Sequence, residues 1–389
     1  MLSEEGCLQR RQRLWHRIPE QYQWVLIGDP RHVQYLCNFR VNPISFSADQ
    51  RPLLLLTRNQ QATLLADNFV RRSGNTDVFI DQEIIVPWYT HRKSVTNRDA
   101  CLATAVREAE PLWVGSDGLI ESEAIPQHVF ELTQAAADTT FVDAESSENS
   151  AITLGTLIRQ LRRRKLADEI HLLERCMRAC DAGHEHAFDV IRPGITELDV
   201  FLEVQKAAQH AAGCPCIVYG DFRATNAKIH KAGGHPTHYE LRSGDLFILD
   251  YSVVIHGYRS DFTNTIAVGE PTPQQSANAT ACIAALQAAA AELRPNIECR
   301  RIYEAASAVL QQHGLDPLAH HAGHGLGMEH PEPPILVPES TDSLVEGDVI
   351  TLEPGCYVPG VGGMRFEHNY SITGNGARQL SNHVLGLQR

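Results

Sequence analysis

An aspartate stands in the middle of a strongly apolar run. Asp250 sits in the stretch LFILDY, residues 246–251, where an ionised carboxylate is costly unless something offsets its desolvation. Asp261 follows eleven residues later. Asp245 to Val254 and Tyr258 to Val268 both have strand-like patterning, with Ile255 to Gly257 as the connection. A hairpin centred near Ile255-His256 places residues 250 and 261 directly opposite each other, with Cβ atoms about 4.5–5.5 Å apart. Two like charges that close repel strongly, and a metal ion between them removes the conflict. The alternative is that Asp261 faces solvent and Asp250 alone is buried; the pair by itself does not choose.

Other residues favour the metal. Glu353 follows the strand Val349 to Leu352 and precedes Pro-Gly, so it stands at a strand end held by a rigid turn. Glu367 lies in a final strand, Met364 to Thr373, where Arg365, Glu367 and Asn369 share one face. Histidine is skewed as well: of 19, 11 fall in the last 160 residues. His320, His321, His324 and His330 occupy a glycine-rich stretch, HHAGHGLGMEH, whose small residues let backbone and ligands approach closely. A single histidine there is more often a surface residue than a ligand, but glycines flank His324 on both sides. Carboxylates with one imidazole suit Mn, Co, Fe or Zn. Four carboxylates carry −4 and two divalent ions +4, and ions about 3.5–4 Å apart can activate a hydroxide near neutral pH.

The rest of the chain sets the frame. Its 389 residues point to two or three domains, and 43% hydrophobic residues suffice for real cores. From about residue 10 to 145, short apolar runs (24–27, 52–56, 63–65 and 112–114) alternate with helical stretches, an α/β pattern. The polar segment 143–150 reads as a linker, giving domains 1–150 and 151–389. Leu166, Ile170, Leu173, Met177 and Cys180 mark one helix face. Thr196 and Asp199 offer a capping pair for the next helix, which runs to Gly213. Two Ala-rich helices follow, Gln274 to Leu293 and Ile297 to Gln312. The second domain is therefore α+β and built on hairpins.

Charge and composition narrow the partners. The formal charge of −13 argues against nucleic acid or an anionic membrane as a partner. The basic run Arg162-Arg163-Arg164-Lys165 is read as a solvated face. No stretch approaches about 18 consecutive apolar residues, and the N-terminus lacks a signal-peptide apolar core. A cytoplasmic protein is the expectation, and ten scattered cysteines fit reduced, buried thiols there.

Taken in order, D250-x10-D261, HHAGHGLG (320–327), LEPGCYVPG (352–360) and GGMRFEH (362–368) resemble the pita-bread metallopeptidases: aminopeptidase P, prolidase, methionine aminopeptidase and creatinase-like proteins. The segments RRRKLADEIHLLERCMRA and IRPGITELDV also match the start of that fold. The resemblance covers about 150–389, and GDPRHVQYLCNF (28–39) resembles the creatinase-type N-terminal domain. It implies a pita-bread catalytic domain preceded by a smaller α/β domain. It further implies that Asp250 binds one metal, Asp261 and Glu367 bridge two, and His324 and Glu353 hold the second. Glu353 would also be a base, and His320 would support the tetrahedral intermediate. His235, His330 and Arg365 would lie on the substrate side.

The departures concern the substrate side. Asn264 stands where the family usually has Arg. His330-Pro331-Glu332 replaces a His-Glu doublet, so His330 is one place early. His230, His235 and His238 compete for one further histidine, with His235 taken first. The expected activity is removal of the N-terminal residue from Xaa-Pro peptides or dipeptides, with two divalent ions, manganese first and Co, Fe or Zn as alternatives. A metal-dependent lyase or amidohydrolase on a small non-peptide substrate is the second reading, and a binding protein without turnover the third. A homodimer is implied by the resemblance.

Overall fold

The computed structural model describes residues 1–145 and 150–389. The chain divides into two compact units, Met1–Arg162 and Arg163–Arg389. Of the segment read as a linker, residues 146–149 lie outside the described residues, and Asp143 is buried and paired with Arg17.

The first unit runs α1 (Glu4–Arg17), β1 (Tyr22–Ile27), α2 (Pro30–Cys37), β2 (Leu53–Thr57), β3 (Ala62–Asp67), α3 (Asn68–Ser73), β4 (Gln82–Val86), α4 (Asp99–Ala109), β5 (Asp117–Ile120), α5 (Gln127–Thr133), β6 (Ala137–Asp138), β7 (Thr140–Val142), β8 (Ala151–Thr153) and α6 (Leu154–Leu161). Six strands form one sheet in the order β4-β3-β2-β1-β5-β6. Every residue of β2 and β3 is buried, which explains why Leu53–Leu56 is apolar throughout rather than alternating: both faces are covered. Trp24 and Leu26 pack with Leu102, Val106 and Trp113 in one core. The apolar run 112–114 is not a strand. Residues 110–112 make a single 3-10 turn that delivers Trp113 to within 5.1 Å of the Trp24 ring.

The second unit runs α7 (Ala167–Val190), α8 (Glu197–Ala212), β9 (Ile217–Thr225), β10 (Leu246–Ile255), β11 (Tyr258–Arg259), β12 (Phe262–Ala267), α9 (Pro273–Ala291), α10 (Cys299–Gln312), β13 (His324–Gly325), β14 (Glu332–Ile335), β15 (Val349–Leu352), β16 (Gly355–Val358), β17 (Gly362–Arg365), β18 (His368–Thr373) and β19 (Gly376–Gln379). Thr196 and Asp199 form the capping box of α8, and Gly213 ends it in the left-handed conformation. One sheet is built on β10, flanked by β9 and β12, and a second runs β14-β13-β15-β18-β19. α7 is bonded to the first sheet: the Tyr251 hydroxyl donates to the Cys180 carbonyl (2.7 Å) and the Cys176 thiol to the Tyr258 carbonyl (3.1 Å). Gly183 permits this approach, since a Cβ there would lie 2.1 Å from the Tyr251 hydroxyl. α9 and α10 supply Ala285, Ala289, Ile302 and Leu310 to a core shared with Ile350, Leu352 and Phe366.

Three expectations change. The hairpin turns at His256-Gly257, both with positive φ, so Ile255 pairs with Tyr258 and Asp250 with Thr263. Asp261 is therefore diagonal to Asp250 rather than opposite. The shift is two residues, which preserves the face. The final strand is interrupted: β17 ends at Arg365, β18 begins at His368, and Glu367 occupies the break. The basic run is not a solvated face. Arg162 is buried, Arg163 pairs with Asp342 and Asp348 at 2.9 and 2.8 Å, and Lys165 reaches Glu332 at 3.2 Å with both side chains buried.

Candidate metal centre

Asp250 projects from the middle strand of the first sheet, and two residues the sequence did not single out share its surroundings. Across the β9 ladder Asp250 faces Asp221. The Arg365 guanidinium pairs with Asp250 and lies 3.3 Å from Asp221 and 3.9 Å from Glu353. Arg365 NH1 also donates to the Tyr357 hydroxyl at 2.9 Å. Asp221 was legible in principle, as a charged residue within a strand. Its partner strand was not assigned from sequence, so its alignment with Asp250 could not be seen.

Asp261 sits just before β12, outside the regular ladder, with its backbone held by the Asn369 side chain, which accepts from the Asp261 N–H at 3.3 Å and donates to its carbonyl. Its Oδ2 lies 3.5 Å from His324 Nε2 and 2.6 Å from His330 Nε2. Glu353 Oε1 lies 3.5 Å from His324 Nε2 and 3.4 Å from His321 Nδ1, and accepts from the Thr351 hydroxyl at 3.1 Å. Glu367 accepts from the Thr263 hydroxyl at 2.7 Å through Oε2, while its buried Oε1 has no hydrogen-bond partner among the described residues.

The ring of His324 is oriented by its other nitrogen. Nδ1–H donates to the Gly325 carbonyl at 2.8 Å, and burial holds the imidazole below its ordinary pKa, so it is neutral with its Nε2 lone pair facing outward. That lone pair points between two carboxylate oxygens, Asp261 Oδ2 and Glu353 Oε1, each 3.5 Å away. Burial, with the charges of Glu353 and Asp261, drives the Glu367 carboxyl well above the usual range. Burial likewise pushes Glu353 up to about 7, against the pull of His321 and Arg365. Asp250 is raised by burial, partly offset by Arg365. Asp261 is also buried, but hydrogen bonding to His330 holds it below its ordinary value. Three buried carboxylates and the partly buried Asp250 thus lie together, with the Arg365 guanidinium reaching Asp250 and Glu353, and the donor set (carboxylate oxygens, one imidazole nitrogen, an orphaned Oε1) fits divalent cations.

The remaining predicted residues fall differently. His320 is half-buried. Its Nδ1–H donates to the His321 carbonyl at 2.8 Å and the Tyr357 hydroxyl lies 3.4 Å from its Nε2; burial pushes it down to about 4. His330 reaches Asp261, as described. His235 is exposed, with no hydrogen bond or ion pair to these side chains among the described residues. The neighbouring segment comes closer instead: a Cβ on Gly363 would meet the His230 carbonyl at 2.3 Å, and the Lys231 ammonium lies 5.6 Å from the Tyr357 ring centroid. Asn264 turns to the opposite face and exchanges two 3.0 Å hydrogen bonds with the Gly386 backbone.

Residues 171–374 match the model of metallopeptidase family M24, just over half of the chain. Over 226 residues the chain is 29% identical to the Xaa-Pro dipeptidase of Pyrococcus furiosus, covering 58% of this chain and 65% of that protein. Two solved structures share the fold over nearly the whole length. One is an Xaa-Pro dipeptidase from Bacillus anthracis, with TM-score 0.75, 21% identity and 99% of both chains covered. The other is an X-Pro aminopeptidase from Thermotoga maritima, with TM-score 0.76, 17% identity and 100% and 99% of the two chains covered. The carboxylate and histidine cluster lies within the matched span, and the chain belongs to metallopeptidase family M24, with a pita-bread catalytic domain preceded in sequence by a smaller α/β domain.

Proposed function

We propose that this metallopeptidase removes the N-terminal residue from Xaa-Pro dipeptides or longer Xaa-Pro peptides, with two divalent ions held by Asp250, Asp261, His324, Glu353 and Glu367. The observation that carries the reading is the convergence of buried carboxylates on the neutral His324 Nε2, with Glu367 Oε1 left unpartnered. Charge supports two ions, manganese first and Co, Fe or Zn as alternatives: four carboxylates match +4. When bound, such ions polarise a carbonyl and lower the pKa of water.

The chain's own groups do the rest. Glu353 is the carboxyl suited to take and return a proton, because the Thr351 hydroxyl fixes its Oε1 and His321 stands beside it. Arg365 braces Asp250 and polarises the Tyr357 hydroxyl. His320 is neutral with Nδ1–H committed to a carbonyl, so its Nε2 accepts. Direct support of an oxyanion by His320 would need the other tautomer or an added proton, whereas the Tyr357 O–H is already a donor.

The Xaa-Pro preference rests on the relatives' names, and the fold matches both a dipeptidase and an aminopeptidase. A homodimer is proposed on resemblance alone. The test is a screen of Xaa-Pro dipeptides, longer Xaa-Pro peptides and non-proline controls, with and without chelator. Selective cleavage after the first residue of Xaa-Pro substrates is expected. Turnover of non-proline controls at equal kcat/KM, or of small non-peptide amides alone, refutes the assignment.

A further inference from the structure

His330 and His324 bring two imidazoles to one carboxylate oxygen. Their Nε2 atoms stand 2.6 and 3.5 Å from the same Asp261 Oδ2, with ring centroids 4.8 Å apart and planes nearly perpendicular, at 87°. Asp261, His324 and His330 each offer a ligand atom within 4.8 Å of the others. Donors about 2.1 Å from a common metal lie about 3.0–3.4 Å from one another in octahedral or tetrahedral geometry, and the observed 2.6–3.5 Å spacings bracket that range. His330 is also held in place. Glu332 Oε1 accepts the Met328 and Glu329 N–H groups at 2.8 and 2.9 Å, and its Oε2 receives the buried Lys165 ammonium at 3.2 Å, latching the loop on both sides of His330. A Cβ on Gly327 would meet that carboxylate at 2.7 Å.

We infer that His330 is a second imidazole ligand of the metal centre, beside His324 and on the Asp261 side. This rests on the metal-centre reading above and extends it. A second nitrogen donor moves the site away from an oxygen-rich, manganese-favouring set toward Co, Fe or Zn.

The test counts imidazoles on the bound metal in wild type, H330A, H330Q and H324A. The full-length protein is stripped and reloaded with Mn or Co, histidine is ¹⁵N-labelled, and pulsed EPR of the Mn form is read beside the visible bands of the Co form. Two coupled imidazoles in wild type and one in both His330 variants are expected, with Co affinity falling more than Mn affinity, by about tenfold or more. H330Q separates the roles, since its amide N–H can still donate to Asp261 but supplies no imidazole. If H330Q matches wild type in spectrum and affinity, His330 is only a hydrogen-bond partner and the inference fails. If wild type shows one imidazole, lost in H324A and unchanged in H330A, the inference fails while the metal centre stands. If wild type binds no metal, both readings fall. Thermal melts of the stripped variants identify any that do not fold, and wild type with H330Q then decides.

Discussion

Replacing Arg365 with methionine tests the charge logic of the centre directly. The side chain is 13% exposed and is, among the described residues, the one guanidinium paired with Asp250, whose own side chain is 17% exposed. Its contact to Asp221 adds little, because that carboxylate is about one-third exposed. Removing one partner of a buried pair costs about 3–5 kcal/mol, since the other charge is left uncompensated. For a unit of this size, about 2–4 °C per kcal/mol gives a Tm drop of about 6–20 °C in the chelated protein. Saturating divalent metal adds positive charge to the same carboxylates, so the drop shrinks in the loaded protein, with a coupling of about 0.5–3 kcal/mol. Calorimetry reads the second unit. Tryptophan fluorescence isolates the first, because Trp15, Trp24, Trp88 and Trp113 all lie there. An unchanged Tm for chelated R365M, or an equal drop with and without metal, refutes the reasoning.

Further outcomes follow from other parts of the molecule. Burial pushes His184 down to about 3; with its unfolded value near 6.5, its contribution is full above about pH 6.5 and is lost as pH falls toward 3, at about 1.4 kcal/mol per pH unit. H184Q should therefore flatten the acid limb of stability measured by urea unfolding, and an identical limb would exclude that role. A Cβ on Gly323 would stand 1.9 Å from the Thr351 carbonyl, so G323A should cost about 1–3 kcal/mol and shrink the Tm rise on adding metal, because His324 follows directly; an undiminished rise counts against this. In the first unit His32 and Glu121 are fully buried partners, and Glu121 also takes the Gly28 and Asp29 N–H groups at 2.9 Å. H32A should lower that unit's stability by about 1–3 kcal/mol, because it leaves the buried Glu121 Oε1 without its partner, seen as an earlier tryptophan-fluorescence transition, and an unmoved transition would show the contact to be neutral.

The shared face of the carboxylates was legible because β-structure is forgiving in one respect. The turn falls one residue later than the strand pattern predicts, which moves the Asp250 register by two, and a shift of two keeps side chains on the same face. Caps and breakers were legible for the same local reason: the Thr196/Asp199 box and Gly213 act within one turn of helix. What could not be read depends on contacts far apart in sequence. The pairing of Asp221 with Asp250 is set by a 29-residue separation across β9 and β10. The fate of Arg163 and Lys165 depends on Asp342, Asp348 and Glu332, more than 160 residues away, so a run that looks solvated in sequence becomes an internal ion-pair cluster. The break at Glu367 has no signature in the sequence, because β17 and β18 together have the composition of a single strand, while their pairing partners, β16 and β15, belong to different sheets.

The central claim is that catalysis depends on a two-ion centre at these carboxylates. Titrating the chelated protein with Mn or Co by calorimetry, while following hydrolysis of an Xaa-Pro substrate in parallel, tests it most directly. The account predicts no turnover before metal is added, two ions bound per chain, and activity that rises with occupancy. Full hydrolysis by the metal-free protein would contradict it.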